Sequence, residues 1–534
     1  MTSVQWWETA VVYQIYIRSF ADGDGDGVGD ITGMRSRLPY LGALGVDAVW
    51  INPWYPSPMA DAGYDVADYR EIDPAYGTLA QAREFIAEAH AAGLKVLLDI
   101  VPNHTSDQHR WFQAALRSEL GARERYLFRP GRAGGEVPPN DWQSIFGGPA
   151  WTRTDDGSWY LHLFAPGQPD LNWDHPEVRK EFEAVLAFWF DLGVDGFRID
   201  VAHGLVKAAG LPDRGGPGNP HPAFDQDGVH EIYRGWRAVA NRYEPQRIFI
   251  AEAWVPSNER LSRYLRPDEL HTAFQFDFLR APWRAAKLRE VIDEAISSAA
   301  SVGAPPTWVL SNHDVPRTVT RYARSQPDGM VESEWERARW VAEAADHELG
   351  RRRARACALL QLSLPGTAYV YQGEELGLEE VEELPDEVRQ DPTWLQSGRT
   401  DVGRDGCRIP LPWSGSQAPY GFSPPGSAAS WLPQPDHWGA YSVAAQERDG
   451  DSILNLYRAA LALRPQLWVG AGDVRWLASA DGVLGYARGE AQCWVNTGDV
   501  EIALPEGFSV LLASEPGIDG VLPPDAAAWV RARR

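Results

Sequence analysis

Runs rich in Val, Ile and aromatic residues recur along the chain, each trailed by a segment of helical length. "VVYQIYI" (11–17) precedes a stretch at 31–44 that reads as a helix, "VDAVWIN" (46–52) precedes one at 79–92, and "KVLLDIV" (95–101) follows. Five more such runs come later: "GVDGFRID" (193–200), "RIFIAEAW" (247–254), "HTAFQFDF" (271–278), "PTWVLSNHD" (306–314) and "GTAYVYQG" (366–373). Eight strand-plus-helix units predict an α/β fold, a (β/α)8 TIM barrel rather than an open sheet.

Two stretches interrupt the pattern. Residues 104–174, after the third strand, are rich in Gly, Pro and aromatics and are long enough for a small inserted domain. Residues 377–450 are loop-rich, and "SILNLYRAALALR" (452–464) reads as the last barrel helix. Beyond it, "VRWLAS", "VLGYAR", "AQCWVN", "VEIALP" and "FSVLLA" read as short strands between turns. The expected organisation is therefore barrel over 1–103, inserted domain over 104–174, barrel again over 175–465 and a C-terminal antiparallel β domain over 466–534.

At 534 residues the chain suits a large barrel with accessory domains. Its net charge of −24 argues against nucleic acid and anionic membranes as partners. Cys357, Cys407 and Cys493 follow no metal or disulfide spacing, which points to reduced thiols. The opening "MTSVQWWETA" has neither a basic nor an apolar leader region, and no apolar run reaches the roughly 20 residues of a membrane span. A cytoplasmic protein, monomeric or homo-oligomeric, is expected. Trp is frequent, and flat aromatic faces suit sugar rings as well as a large core.

Barrel enzymes carry their chemistry at the C-terminal strand ends. "GFRID" ends in Asp200, "FIAEAW" places Glu252 at the next strand end, "LSNHD" places His313 and Asp314, and "LLDIVPNH" places Asp99, Asn103 and His104. Alternation along a strand puts Arg198 and Asp200 on one face. Several carboxylates in one mouth repel and lose hydration, which a fold tolerates only where function or cations compensate. A carboxylate pair in unlike environments is what glycoside cleavage needs. Asp200 has Arg198 beside it to hold it ionised, which suits a nucleophile; Glu252 has no neighbouring cation in sequence, which suits an acid/base.

The stretch "DGDGDGVGD" (22–30) sets Asp22, Asp24, Asp26 and Asp30 at the ligand spacing of an EF-hand loop, with Gly27 at its turn and Val28 at its carbonyl position. Gly33 stands where the closing Glu belongs, and a strand rather than a helix precedes the loop. The spacing survives and the EF-hand context does not.

The ordered motifs "DIVPNHTS" (99–106), "QPDLNW" (168–173), "GFRIDVAHG" (196–204), "AEAW" (251–254) and "SNHD" (311–314) resemble those of the α-amylase family of glycoside hydrolases. Within it, the exo-acting α-glucosidase and oligo-1,6-glucosidase branch is the most similar, and "GDGVGDITG", "GYDVADY" and "YQGEELG" add to the likeness over nearly the whole chain. The resemblance implies Asp200 as nucleophile, Glu252 as acid/base and Asp314 as the carboxylate that positions sugar hydroxyls. It implies Arg198, His104 and His313 as partners at the glucose subsite, Tyr64 as the platform under the ring and Asp61 as a hydroxyl ligand. Phe146, Phe164 and Gln168 would belong to the wall supplied by the inserted domain. "RDGCRIPLPW" (404–413) resembles a branch motif whose second Arg, here Arg408, closes the pocket, though its ending departs from the usual one. The aspartate-rich loop would bind Ca²⁺ or Mg²⁺ structurally through Asp22, Asp24, Asp26, Asp30 and the Val28 carbonyl, hard oxygen ligands that suit those ions.

The expected activity is retaining hydrolysis of terminal α-linked glucose from maltose and short malto-oligosaccharides. Alternatives are an oligo-1,6-glucosidase, or a transglycosylase or isomerase of the trehalose synthase or sucrose isomerase kind, which keep the same carboxylates. A silent relative of the transporter heavy-chain kind fits poorly, because the carboxylates are present and a spanning helix is not. Val201, directly after Asp200, is a residue that accompanies α-1,6 cleavage in the resembling branch, while the following "AHG" departs from it. Maltose as the preferred disaccharide, with measurable isomaltose activity, is the expectation.

Overall fold

A computed structural model describes residues 5–216, 218–326 and 343–533. The first four residues of the opening stretch, and the last residue of the C-terminal interval, lie outside these. Eight parallel strands form one sheet: β1 (Val11–Ile15), β2 (Ala48–Ile51), β3 (Lys95–Ile100), β4 (Gly196–Ile199), β5 (Ile248–Ala251), β6 (Thr272–Ala273), β7 (Thr307–Val309) and β8 (Thr367–Tyr371). Each pairs with its sequence neighbour, β8 pairs back to β1, and a parallel bridge from Phe274 to Thr307 joins β6 to β7. The sheet is therefore a closed barrel, as the alternation predicts.

Local departures have local causes. The helix expected over 31–44 is two, Ile31–Ser36 and Leu38–Leu44, broken at Arg37 with Pro39 in the first turn of the second. The run at 271–278 yields a two-residue strand and then a helix, Phe276–Arg280. Its aromatics turn inward: Phe274 meets Tyr369 edge-on at 4.8 Å, and Phe276 stacks on Trp254 at 3.7 Å.

Between β3 and β4 lies a three-stranded antiparallel sheet, Phe128–Pro130, Trp151–Arg153 and Ser158–Leu161, with the last strand in the middle. A bridge between His104 and Asp170 ties the two ends of this insertion together above the barrel. The long connection after β8 folds back over the loop that follows β1: Trp413 Nε1 donates to the Phe20 carbonyl at 2.7 Å, and the amides of Ala428 and Trp431 donate to Gly25 and Gly27. Gly27 has φ +92°, and a Cβ there would lie 2.1 Å from the Ala429 carbonyl oxygen, so only glycine fits beneath that connection.

The C-terminal sheet contains β9 (Arg475–Trp476), β10 (Val483–Arg488), β11 (Ala491–Asn496), β12 (Phe508–Ala513) and β13 (Ala526–Ala532), in the order β9-β10-β11-β13-β12. The strand expected in "VEIALP" is Ile502–Ala503, paired with Val521–Leu522 in a separate ribbon. The Ala-rich β13 was not among the expected strands, because "DAAAWVRA" has helical composition. Its small side chains let helix His347–Ser363 approach, and Trp529 Nε1 donates to the Leu359 carbonyl across that junction at 3.0 Å. Among the described residues no helix is long and apolar enough to cross a membrane.

Candidate active site

A pocket of about 560 Å³ opens at the C-terminal end of the barrel. Asp200 and Glu252 each follow the last residue of their strand, and Ile199 pairs with Ala251, so the two carboxyls stand at one level on adjacent strands. Backbone bonds extend the sheet to that level: the Asp200 amide donates to Ile100 at 2.9 Å and the Glu252 amide to Ile199 at 3.0 Å. Asp314, beyond β7, completes a triad of carboxyls that line the pocket.

Arg198 lies beneath them, almost wholly buried. Its Nη1 donates to Asp99 Oδ1 and to Asp200 Oδ1, both at 2.7 Å, and its Nη2 sits 3.0 Å from Glu252 Oε2. Glu252 therefore does have a cation, supplied by the neighbouring strand, where the sequence showed none. Arg198 also fails to hold Asp200 low. Burial drives the Asp200 carboxyl well above its ordinary range against the guanidinium, and Glu252, Asp99 and Asp314 push the same way. Asp99 is raised to about 6 by burial, although Arg198, Tyr64 and Trp50 donate to it.

Glu252 is held by donors on both oxygens. Oε2 accepts from the Val201 amide at 2.8 Å, and Oε1 accepts from Trp254 Nε1 at 2.7 Å. Val201 adopts φ +45°, the left-handed region that a β-branched side chain resists.

Tyr64 lies flat against His313, ring centroids 5.2 Å apart and 9° from parallel, with its hydroxyl on Asp99. His313 Nδ1 pairs with the Gln14 amide nitrogen at 2.8 Å, which leaves Nε2 as the protonated nitrogen, 3.3 Å from Asp314. Burial lowers both His313 and His104, which favours the neutral imidazole in each. For Asp314, burial is outweighed by His313, Arg404 and Arg408, which hold it below the usual carboxylate range.

Phe146 and Phe164 line the pocket from the insertion. Gln168 does not: it is buried behind the wall, donating to Asp61 at 3.2 Å and meeting His104 at 3.0 Å. Arg408 is likewise displaced from its expected place. It is buried, with Nε on the His313 carbonyl at 2.8 Å and Nη2 3.1 Å from Asp314, behind the wall. The arginine in the wall is Arg404, the first of the same motif. It reaches Asp61 at 2.7 Å, Asp314 at 2.9 Å and Asp391 at 2.6 Å, tying three loops into one rim. Asp391, held at about 2 by Arg404 and Arg408 against its burial, went unnoticed in the sequence because nothing local marks it. Trp254, His203 and Phe224 also line the pocket without having been singled out. Trp254 stood in a quoted motif, which was the available signal.

Lys207 anchors the insertion to the barrel, with Nζ 2.8 Å from Asp170 and 2.7 Å from Asn103 Oδ1. In the aspartate-rich loop, Asp22, Asp24 and Asp30 bring carboxylate oxygens within 4.8 Å of one another. Asp26 is not in that cluster; its Oδ1 accepts the Val28 amide at 2.8 Å. Asp22 and Asp30 are buried, none of the four Asp meets a basic side chain among the described residues, and burial raises Asp30 despite the three backbone amides that donate to it.

Residues 14–470 match the family model described as the α-amylase catalytic domain. A probable α-glucosidase of Rhizobium meliloti is 37% identical over 529 residues, covering 92% of this chain and 90% of its own. An oligo-1,6-glucosidase of Parageobacillus thermoglucosidasius is 35% identical over 502 residues, covering 86% and 84%. The crystal structure of XgtA, an α-glucosyl transfer enzyme, superposes with a TM-score of 0.85 at 33% identity, covering 99% of this chain and all of its own. The barrel, the carboxyl triad at its mouth and these relatives together identify the chain as a member of the α-amylase family of glycoside hydrolases.

Proposed function

We propose that this enzyme is a retaining exo-α-glucosidase that releases terminal non-reducing glucose from maltose and short malto-oligosaccharides. The observation that carries the reading is the level pairing of Asp200 and Glu252 on adjacent strands, both ion-paired with Arg198. Adjacent parallel strands run about 4.8 Å apart, which suits the roughly 5–5.5 Å carboxyl separation of double displacement. Asp200, in its ionised form against Arg198, attacks the anomeric carbon as the glycosidic bond breaks, and Glu252 gives its proton to the departing oxygen. Water then loses a proton to Glu252 and displaces Asp200 from the sugar. The rim made by Arg404, Asp61 and Asp314 supports recognition of a chain end, since it offers a cation and two carboxylates to the hydroxyls of one sugar. Tyr64, flat on His313, supplies a rigid face for the ring.

The loop at 22–30 fits a hard divalent cation, Ca²⁺ or Mg²⁺, held by Asp22, Asp24 and Asp30, with Asp26, outside that cluster, and the Val28 carbonyl as further candidate oxygens. Its contribution there is charge compensation for buried carboxylates. Unpaired buried thiols at Cys357, Cys407 and Cys493 support a reducing compartment such as the cytoplasm.

The likeness to XgtA favours a second reading, glucosyl transfer to an acceptor other than water. Rates and products on maltose, isomaltose and sucrose separate the two. Free glucose as the main early product from maltose supports hydrolysis; oligosaccharide or isomerised products in excess of glucose would replace it with transfer.

A further inference from the structure

Glu252 is gripped unequally. Oε2 accepts the Val201 amide at 2.8 Å and is ion-paired with Arg198 Nη2 at 3.0 Å, while Oε1 has one partner, the indole N–H of Trp254 at 2.7 Å. Oε1 is thus the oxygen with capacity to carry the exchangeable proton, and the indole sets its direction. The indole is itself fixed. Phe276 stacks on it at 3.7 Å, 5° from parallel, and the Arg280 guanidinium lies 4.1 Å over the ring. Its backbone amide points to His203 Nδ1 at 3.4 Å. The charged and titratable groups facing Glu252 are Arg198 and Asp200 from β4 and its end, and His203 from the loop beyond.

We propose that Trp254 is a positioning residue for the acid/base. Its N–H aims Glu252 Oε1 at the glycosidic oxygen, and the Phe276–Arg280 clamp keeps the indole from turning away. This rests on the α-glucosidase reading of the pocket. An N–H donor also favours the ionised carboxyl, so its loss moves the basic limb of the pH profile upward.

Trp254→Phe keeps the stack and removes the donor. The test compares kcat/KM on maltose, whose leaving oxygen needs a proton, with kcat/KM on α-glucosyl fluoride, whose leaving fluoride needs little. The variant is expected to lose about tenfold or more on maltose and less than about threefold on the fluoride, with the basic limb for maltose raised by about half a pH unit. Phe276→Leu, which keeps the indole but loosens it, should show the same split in smaller degree. Equal losses on both substrates, or an unmoved basic limb, in Trp254→Phe would overturn the inference. Should that variant not fold, an unsplit Phe276→Leu would overturn it instead. Wild-type enzyme inert on both substrates would refute the glucosidase reading and this inference with it.

Discussion

Asp200 and Glu252 stand on one guanidinium: Arg198 reaches the first with Nη1 at 2.7 Å and the second with Nη2 at 3.0 Å. The shared cation fixes both carboxyls relative to each other and to the barrel. Asp200→Asn and Glu252→Gln preserve shape and remove the reacting group, so each should lose at least about 100-fold in kcat on an aryl α-glucoside with an unchanged melting temperature. A variant that kept more than about a tenth of the wild-type rate would not be missing its catalytic group.

Glu374 is buried under Ser311 and Tyr457, both of which donate to it, and burial raises it from 4.5 to about 7. Below pH 4.5 it is protonated folded or unfolded. Between 4.5 and about 7 the unfolded chain ionises first, so stability falls as pH rises. Asp99 and Asp65, each raised to about 6 by burial, act in the same sense. Glu374→Gln cannot ionise, so its melting temperature should drop less than that of wild type between pH 5 and 7.5, by about 1–2 °C. Parallel curves would show that the carboxyl ionises in the folded protein as freely as outside it.

Chelation, or Asp24→Ala, should lower the melting temperature while leaving KM on maltose within about twofold. Calcium or magnesium added back should restore the wild-type enzyme and not the variant. Thermal scans indifferent to both ions would mean that the loop holds no cation.

Val201 offers its amide to Glu252 and its side chain to the pocket, at φ +45°. Alanine keeps the amide and removes two methyl groups from a residue that lines the pocket next to Asp200. A pocket change of that size shifts discrimination by about 10–200-fold at most. Val201→Ala should therefore move the maltose-to-isomaltose ratio of kcat/KM towards maltose. A ratio constant within about twofold would shift linkage choice to the insertion or to the Arg404 rim.

The barrel was legible because eight strand runs keep their β-branched and aromatic character even where tertiary packing shortens one of them to Thr272–Ala273. The triad was legible because each carboxyl sits at the end of such a run. What escaped lies in loops that only the fold brings together. Arg404 and Asp391 are joined by a 2.6 Å ion pair across thirteen positions, a short helix and a loop outside the strand pattern of the barrel. Arg408 and Gln168, expected in the pocket wall, stand behind it, since sequence gives a residue's neighbourhood and not its depth. Asp200 shows the same limit: its neighbouring arginine was visible, and the burial that outweighs it was not. The strand at 526–532 hid behind alanine, whose helical preference yields to a paired strand on each side and to the helix it packs under.

The central claim is double displacement through Asp200, and the anomeric form of the first product tests it most directly. Two inversions at one carbon return the starting configuration. Proton NMR during the first minutes of maltose hydrolysis should show α-glucose from the non-reducing end appearing ahead of mutarotation. Initial release of β-glucose would mean a single inversion by water, and would contradict a covalent intermediate on Asp200.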